Sequence, residues 1–136
     1  MNKFTVLIVD DEPDFLELMA LRISSWGYDV LKASGGKDAV AIVRKNRPDT
    51  LVLDYMMPDM DGVATLKEIR KIDKKLPVIM FTSYPNTKTI EDANKLGIHA
   101  FIPKLSAYSE VIQALKSAIE RSEEHTSELQ SLTDIS

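Results

Sequence analysis

Residues 4–12 read FTVLIVDDE, an unbroken apolar run that stops abruptly at three acids. A strand with one wet face alternates apolar and polar residues, whereas a strand buried on both faces does not. Phe4–Val9 therefore reads as a central strand of a parallel sheet, with Asp10, Asp11 and Glu12 at its carboxyl end. Four more short runs repeat the theme: Asp29–Ala33, Thr50–Leu53, Val78–Phe81 and Ala100–Ile102. Segments of helical period separate them. Asp14–Trp26 sets Phe15, Leu18, Met19, Ile23 and Trp26 on one stripe, and Val63–Ile72 spaces Val63, Leu66, Ile69 and Ile72 three apart. Lys37–Lys45 and Thr89–Leu96 read as shorter helices, and Tyr108–Ile119 as a longer one. Glycines at 27, 35, 36, 62 and 97 and prolines at 48, 58 and 77 mark the joins. Strand and helix thus alternate five times. That order predicts a three-layer α/β domain, a doubly wound parallel sheet with right-handed crossovers.

Composition agrees with such a domain and excludes several others. Apolar residues make up 44% of the 136-residue chain and charged residues 28%, a globular balance rather than a disordered one. The net charge of −4 offers no basic excess for a nucleic-acid backbone or an anionic membrane. Without cysteine there is no disulfide, thiolate zinc site or cysteine nucleophile, and two histidines are too few for a histidine-rich metal site. No run approaches the length of a membrane span, and the N-terminus lacks the pattern of a signal peptide. A cytoplasmic location is the expectation.

Parallel sheets of this kind bind ligands beyond the carboxyl ends of their strands. Here those ends carry Asp10, Asp11, Asp54, Thr82 and Lys104. Taken singly, each has an ordinary role: a helix cap, a turn, a solvated lysine. Taken together they fall at the ends of four different strands on one edge. Clustered carboxylates repel one another and each loses water, and a divalent cation relieves both costs. Magnesium prefers oxygen ligands and is usually held by one or two carboxylates with several waters. A cation, a lysine and a hydroxyl around a central aspartate describe a phosphoryl site with the aspartate as nucleophile.

The strings VLIVDDEP (6–13), LVLDYMMPDMDG (51–62), VIMFTS (78–83) and AFIPK (100–104), in this order, resemble the receiver domain of bacterial two-component response regulators. The resemblance covers roughly residues 3–120 and implies a flavodoxin-like sheet of strand order 2-1-3-4-5. It implies that Asp54 accepts the phosphoryl group, with Thr82 and Lys104 contacting phosphoryl oxygens. Asp10, Asp11, Asp54 and the Met56 carbonyl would hold Mg2+, or Mn2+ in its place. Phe101 matches an aromatic switch position coupled to Thr82. Met56, Ser83 and Tyr84 would line the rim, where bulky Met56 and Tyr84 would hinder water and prolong the phosphoryl state. The implied donor is a phosphohistidine on a sensor kinase or phosphotransfer protein. The implied output is a change in the surface of the fourth helix, fifth strand and fifth helix. That face would act on a downstream protein or a fused output domain, as a monomer or a phosphorylation-linked dimer, without direct nucleic-acid binding. Such a domain catalyses its own phosphorylation and dephosphorylation but no turnover of an external metabolite.

One position departs from the family pattern: Leu105, not proline, follows Lys104. A cis bond there would cost about 2.5–4 kcal/mol, so trans is expected. Two other readings fit less well. An aspartyl-phosphate hydrolase needs a general acid two residues after the nucleophile, where Met56 stands. A flavodoxin-like cofactor module needs a hydroxyl- and glycine-rich loop after the first strand, where Asp10-Asp11-Glu12-Pro13 stands. A pseudo-receiver is disfavoured because all five site residues are present.

Residues 121–136, RSEEHTSELQSLTDIS, carry no aromatic and no sustained apolar stripe. RSEEHTSELQS reads as an in-frame translation of a common short-read sequencing adapter, and Ile135-Ser136 fit the adapter's continuation after an index. The expectation is a domain over 1–120 followed by a non-native, poorly ordered tail. Without that tail the chain has 16 basic and 17 acidic residues, so its acidity is local rather than general.

Overall fold

A computed structural model describes residues 3–83 and 86–135, with side chains as far as residue 124. Five strands, β1 (Thr5–Val9), β2 (Asp29–Ala33), β3 (Thr50–Asp54), β4 (Val78–Thr82) and β5 (Ala100–Pro103), form one parallel sheet in the order β2-β1-β3-β4-β5. The helices are α1 (Pro13–Ser25), α2 (Gly36–Asn46), α3 (Gly62–Ile72), α4 (Thr87–Lys95) and α5 (Tyr108–Ile135).

The sheet is buried on both faces, which is why its runs look continuous in the sequence. Successive side chains of a strand point to opposite faces. Val6, Ile8, Val52, Ile79 and Phe81 pack in one core with Met19 and Ile23 of α1 and Leu115 and Ile119 of α5. Leu7, Val9, Leu51, Leu53, Val78 and Met80 pack in the other, with Val43 of α2, Leu66 and Ile69 of α3 and Ala93 of α4. Each fully buried side chain of this size contributes about 1.5–3 kcal/mol. Both cores are therefore needed, and neither tolerates a one-residue register slip, which would exchange them.

The amino-terminal edge of the sheet is held by Arg70. Its guanidinium donates to the carbonyls of Asp73, Leu76, Leu96 and Gly97, at 2.7–3.2 Å. It thereby ties the end of α3 to the end of α4.

The helical pattern fades after Ile119 in the sequence, yet α5 continues as helix to Ile135. Ser122 is buried, and its hydroxyl lies 2.7 Å from the hydroxyl of Thr50 and donates to the Ile119 carbonyl. Among the described residues no helix is long and apolar enough to cross a membrane. No peptide bond among them is cis, so Lys104–Leu105 is trans as expected.

Candidate functional site

Asp54 and Thr82 are the last residues of β3 and β4, and Asp10 follows the last residue of β1. The ladder continues one step beyond β5, where the Lys104 N–H donates to the Thr82 carbonyl at 2.8 Å. That bond brings the lysine to the same edge as the acids. Its ammonium then lies 2.7 Å from Glu12 Oε1, 3.0 Å from Asp10 Oδ2 and 3.4 Å from Asp54 Oδ2. It also lies 4.5 Å from the centroid of the Phe15 ring, which in turn meets Phe81 edge-on. The lysine side chain is 5% exposed and that of Asp54 2%. This is an enclosed charge cluster rather than a surface ion pair.

The two buried carboxylates are partly satisfied by backbone. Asp10 Oδ1 accepts the Glu12 N–H at 2.8 Å, and Asp54 Oδ1 accepts the Met56 N–H at 3.3 Å. Burial, reinforced by the neighbouring Asp10 charge, pushes the Asp54 carboxyl up to about 6 despite Lys104. Burial likewise raises Asp10, against the pull of the Glu12 N–H and Lys104. Burial acts to lower Lys104, but its hydrogen bonds to Glu12 and Asp10 and the charges of Asp10 and Asp54 outweigh it and hold it above its ordinary value. Two carboxylates that resist ionisation around one ammonium make a site short of positive charge.

Oxygens of Asp10, Glu12 and Asp54 lie within 4.8 Å of one another, close enough to hold one metal ion. The family resemblance implies Asp11 for the metal, with Asp10 and Asp54; Glu12 is a further acid in this group. The structure places Asp11 beside it, partly buried, in a cleft of about 460 Å³ with Tyr55, Met56, Met57, Pro58 and Asp61. The Met56 side chain is exposed, and Ser83 is partly buried. Tyr84 lies outside the described residues. Thr82 is buried, and its hydroxyl has no hydrogen-bond partner among the described residues. By the two-residue alternation Thr82 falls on the Met80 face of the sheet. Phe101, the register partner of Met80, packs against the core on that face.

The segment between β3 and α3 is held tightly. Asp61 caps α3 by accepting the Ala64 N–H at 2.8 Å, and the Gly62 N–H donates to the Tyr55 carbonyl at 2.8 Å. A Cβ on Gly62 would sit 2.7 Å from the Tyr55 Cα and 2.9 Å from the Asp54 carbonyl oxygen. Gly62→Ala is therefore expected to lower stability by about 1–3 kcal/mol, because the contacts are backbone and cannot swing away. Urea unfolding of the two proteins measures this.

The wiring and the edge on which these residues gather define the doubly wound fold of CheY-like proteins. A response regulator receiver domain protein (CheY-like) from Methanospirillum hungatei superimposes with a TM-score of 0.80 over 92% of this chain and 99% of its own, at 23% identity. The chain belongs to the response regulator receiver domain family, whose model matches residues 6–116. It is a receiver domain of two-component systems, a signalling module. The transcriptional regulatory protein ZraR of Salmonella typhimurium is 32% identical over 130 residues, covering 96% of this chain and 30% of the relative. The chain thus spans under a third of that relative's length. The CheX–CheY–BeF3–Mg2+ complex of Borrelia burgdorferi matches with a TM-score of 0.77 at 30% identity, over 85% of this chain and 89% of the matched chain.

Proposed function

We propose that Asp54 is the phosphoacceptor and that this domain takes its phosphoryl group, with Mg2+, from a phosphohistidine on a sensor kinase or phosphotransfer partner. The observation that carries this is Lys104 in contact with Asp54, Asp10 and Glu12 at once. Three carboxylates converge where a metal would be held, and the buried Asp10 Oδ2 is met there by the Lys104 ammonium at 3.0 Å. These residues fit a hard divalent cation. Asp10, Asp11, Asp54 and the Met56 carbonyl would hold it, and Glu12 is a further carboxylate within reach. Bound there, the metal supplies charge neutralisation for phosphoryl oxygens.

In the transfer, an Asp54 carboxylate oxygen forms a bond to phosphorus as the phosphorus–nitrogen bond to imidazole breaks. The bonding pair leaves with the imidazole nitrogen, which takes up a proton. Lys104, 3.4 Å from Asp54 Oδ2, pairs with a phosphoryl oxygen. The buried Thr82 hydroxyl, without a hydrogen-bond partner among the described residues, donates to another. Movement of Thr82 toward the phosphoryl group opens room on its face of the sheet for Phe101, and α4, β5 and α5 then present a changed surface. A downstream protein or a fused output domain reads that surface, as monomer or dimer. Exposed Met56 stands beside Asp54 and, with Tyr84, slows attack by water. Self-catalysed transfer and hydrolysis are the chemistry, at a cytoplasmic location. The boundary of the natural domain falls near Glu120, with a different natural sequence beyond it; reading the genomic locus tests this, and RSEEHTSELQS encoded there would overturn it.

Metal binding and proton release are coupled at this site. Mg2+ needs ionised carboxylates, so its affinity rises with pH through about 6, where Asp54 loses its proton. At a hundredfold excess over its dissociation constant Mg2+ should stabilise the fold by about 2.7 kcal/mol. The increment should shrink as pH falls from 7 to 5. Thermal unfolding with Mg2+ and with chelator at both pH values measures it, and a pH-independent increment would contradict the assignment.

A further inference from the structure

α2 begins at Gly36, and the residue before it, Gly35, has no side chain with which to cap it. The first N–H groups of a helix lack partners within the helix, and Ser, Thr, Asn or Asp usually supplies an acceptor from the position just before it. Here the acceptor comes from a different element. The Asp59 carboxylate, in the segment between β3 and α3, accepts the Gly36 N–H on Oδ1 at 3.2 Å and the Lys37 N–H on Oδ2 at 3.3 Å. A negative group at this end also suits the helix dipole.

Both glycines make the approach possible. A Cβ on Gly35 would lie 2.9 Å from Asp59 Oδ2, and one on Gly36 would lie 2.8 Å from the Met60 Cβ and against the Thr65 hydroxyl. The two ends of segment 55–61 are tied to its neighbours: the Tyr55 N–H donates to the Phe81 carbonyl, the Gly62 N–H to the Tyr55 carbonyl, the Thr65 hydroxyl to the Met60 carbonyl, and Asp61 caps α3. Asp59 fastens its tip to α2. Met56, with its N–H on Asp54 Oδ1, lies between the Tyr55 end and that tip. With the tip free, the carbonyls between the two would have more room to turn.

We propose that Asp59 is a positioning residue for the cation site: by capping α2 it fixes the tip of segment 55–61 and so holds the Met56 carbonyl in place beside Asp54. This rests on the reading of Asp10, Asp11, Asp54 and Met56 as the metal's holders. Asp59 itself touches neither metal nor phosphoryl group. A carboxylate that served α2 alone would make the same two bonds, and the difference is whether the metal feels its loss.

Calorimetric titration of the full chain with Mg2+ alone separates the cases. Asp59→Ala should weaken Mg2+ binding about tenfold, the range seen when a residue that orients a ligand is removed. Asp59→Asn keeps one of the two acceptor oxygens and sets an amide donor against the other N–H, so its affinity should fall between those of wild type and Asp59→Ala. Arg70→Ala, at the opposite edge of the sheet, should lower the melting temperature and leave the affinity unchanged. Wild-type affinity in Asp59→Ala would overturn the proposal, even if that variant melts earlier. A loss in Asp59→Asn as large as in Asp59→Ala, although one cap bond survives there, would trace the effect to charge and would also overturn it. No Mg2+ binding by wild type would overturn the metal reading itself, and this proposal with it.

Discussion

Asp54→Asn is expected to abolish phosphoryl uptake and, in the same molecule, to make the metal-free protein more stable at neutral pH. Loss of uptake follows from removing the nucleophile, since an amide oxygen cannot take the phosphoryl group at any useful rate. The gain in stability follows from linkage. The Asp54 carboxyl titrates at about 6 in the folded protein, against 3.8 for an unperturbed one. Between those values the native state binds more protons than the unfolded state, so stability falls as pH rises through the window. Above about pH 6 the penalty is fully present, on the order of 2–3 kcal/mol. Asparagine carries no charge to desolvate and does not repel Asp10. Lys104 loses its longest contact, 3.4 Å, and keeps Glu12 at 2.7 Å and Asp10 at 3.0 Å. The net change should therefore be stabilising by about 1–3 kcal/mol at pH 7 and near zero at pH 4. Urea unfolding with chelator across that range measures it. A variant less stable than wild type at pH 7 would show that the lysine contact outweighs the desolvation.

Lys104→Met should act in the opposite direction on stability and in the same direction on chemistry. The ammonium is the cation that Asp10, Glu12 and Asp54 share, and its side chain is 5% exposed. Removing one partner of a buried pair costs about 3–5 kcal/mol, because a charge is left uncompensated. Part of that figure does not apply, since Glu12 is 63% exposed and water can solvate it. A loss of about 2–4 kcal/mol at pH 7 is expected. The lysine is held above its ordinary pKa. Its stabilisation is thus complete at neutral pH and would fade only as pH rises through that elevated value. Two conditions should restore the variant: acid, which protonates Asp54 and Asp10, and Mg2+, which replaces the missing positive charge. Phosphoryl transfer from a small donor should fall about 10²–10³-fold, the usual effect of deleting one charge-stabilising group. Thermal unfolding at pH 5 and 7, with and without Mg2+, gives the first set of numbers, and single-turnover phosphorylation gives the second. Stability unchanged at pH 7 would mean that the ammonium is not needed to hold the acids together.

The fold was legible because the sheet is buried on both sides. That condition writes itself into the chain as short continuous apolar runs, and the strand ends follow within a residue. Thr50–Leu53 became Thr50–Asp54, and Val78–Phe81 became Val78–Thr82. The gathering of Asp10, Asp54, Thr82 and Lys104 was legible for the same reason: residues that end parallel strands lie on one edge of the sheet. What depended on side-chain direction was not legible. Asp11 and Glu12 are adjacent acids, and only the path of the chain from β1 into α1 sends Glu12 rather than Asp11 to Lys104. The Asp59 cap joins residues 22 and 23 positions apart, with no motif between them; the one signal was a glycine pair opening a helix with nothing to cap it. Arg70 lies off the Val63-Leu66-Ile69-Ile72 stripe, so no apolar pattern marks it, although it gathers four carbonyls. The apolar stripe that marks the last helix ends at Ile119, so the extent of α5 to Ile135 has no apolar signature in the sequence.

The claim that Asp54 is a metal-dependent phosphoacceptor is tested most directly by mass spectrometry of the full chain incubated with a small phosphodonor. With Mg2+ present, one phosphoryl group should add, and peptide mapping should place it on Asp54; with chelator the mass should stay unchanged. An unmodified chain in the presence of Mg2+, or an adduct that maps to Thr82, Ser83 or any residue other than Asp54, would contradict the account.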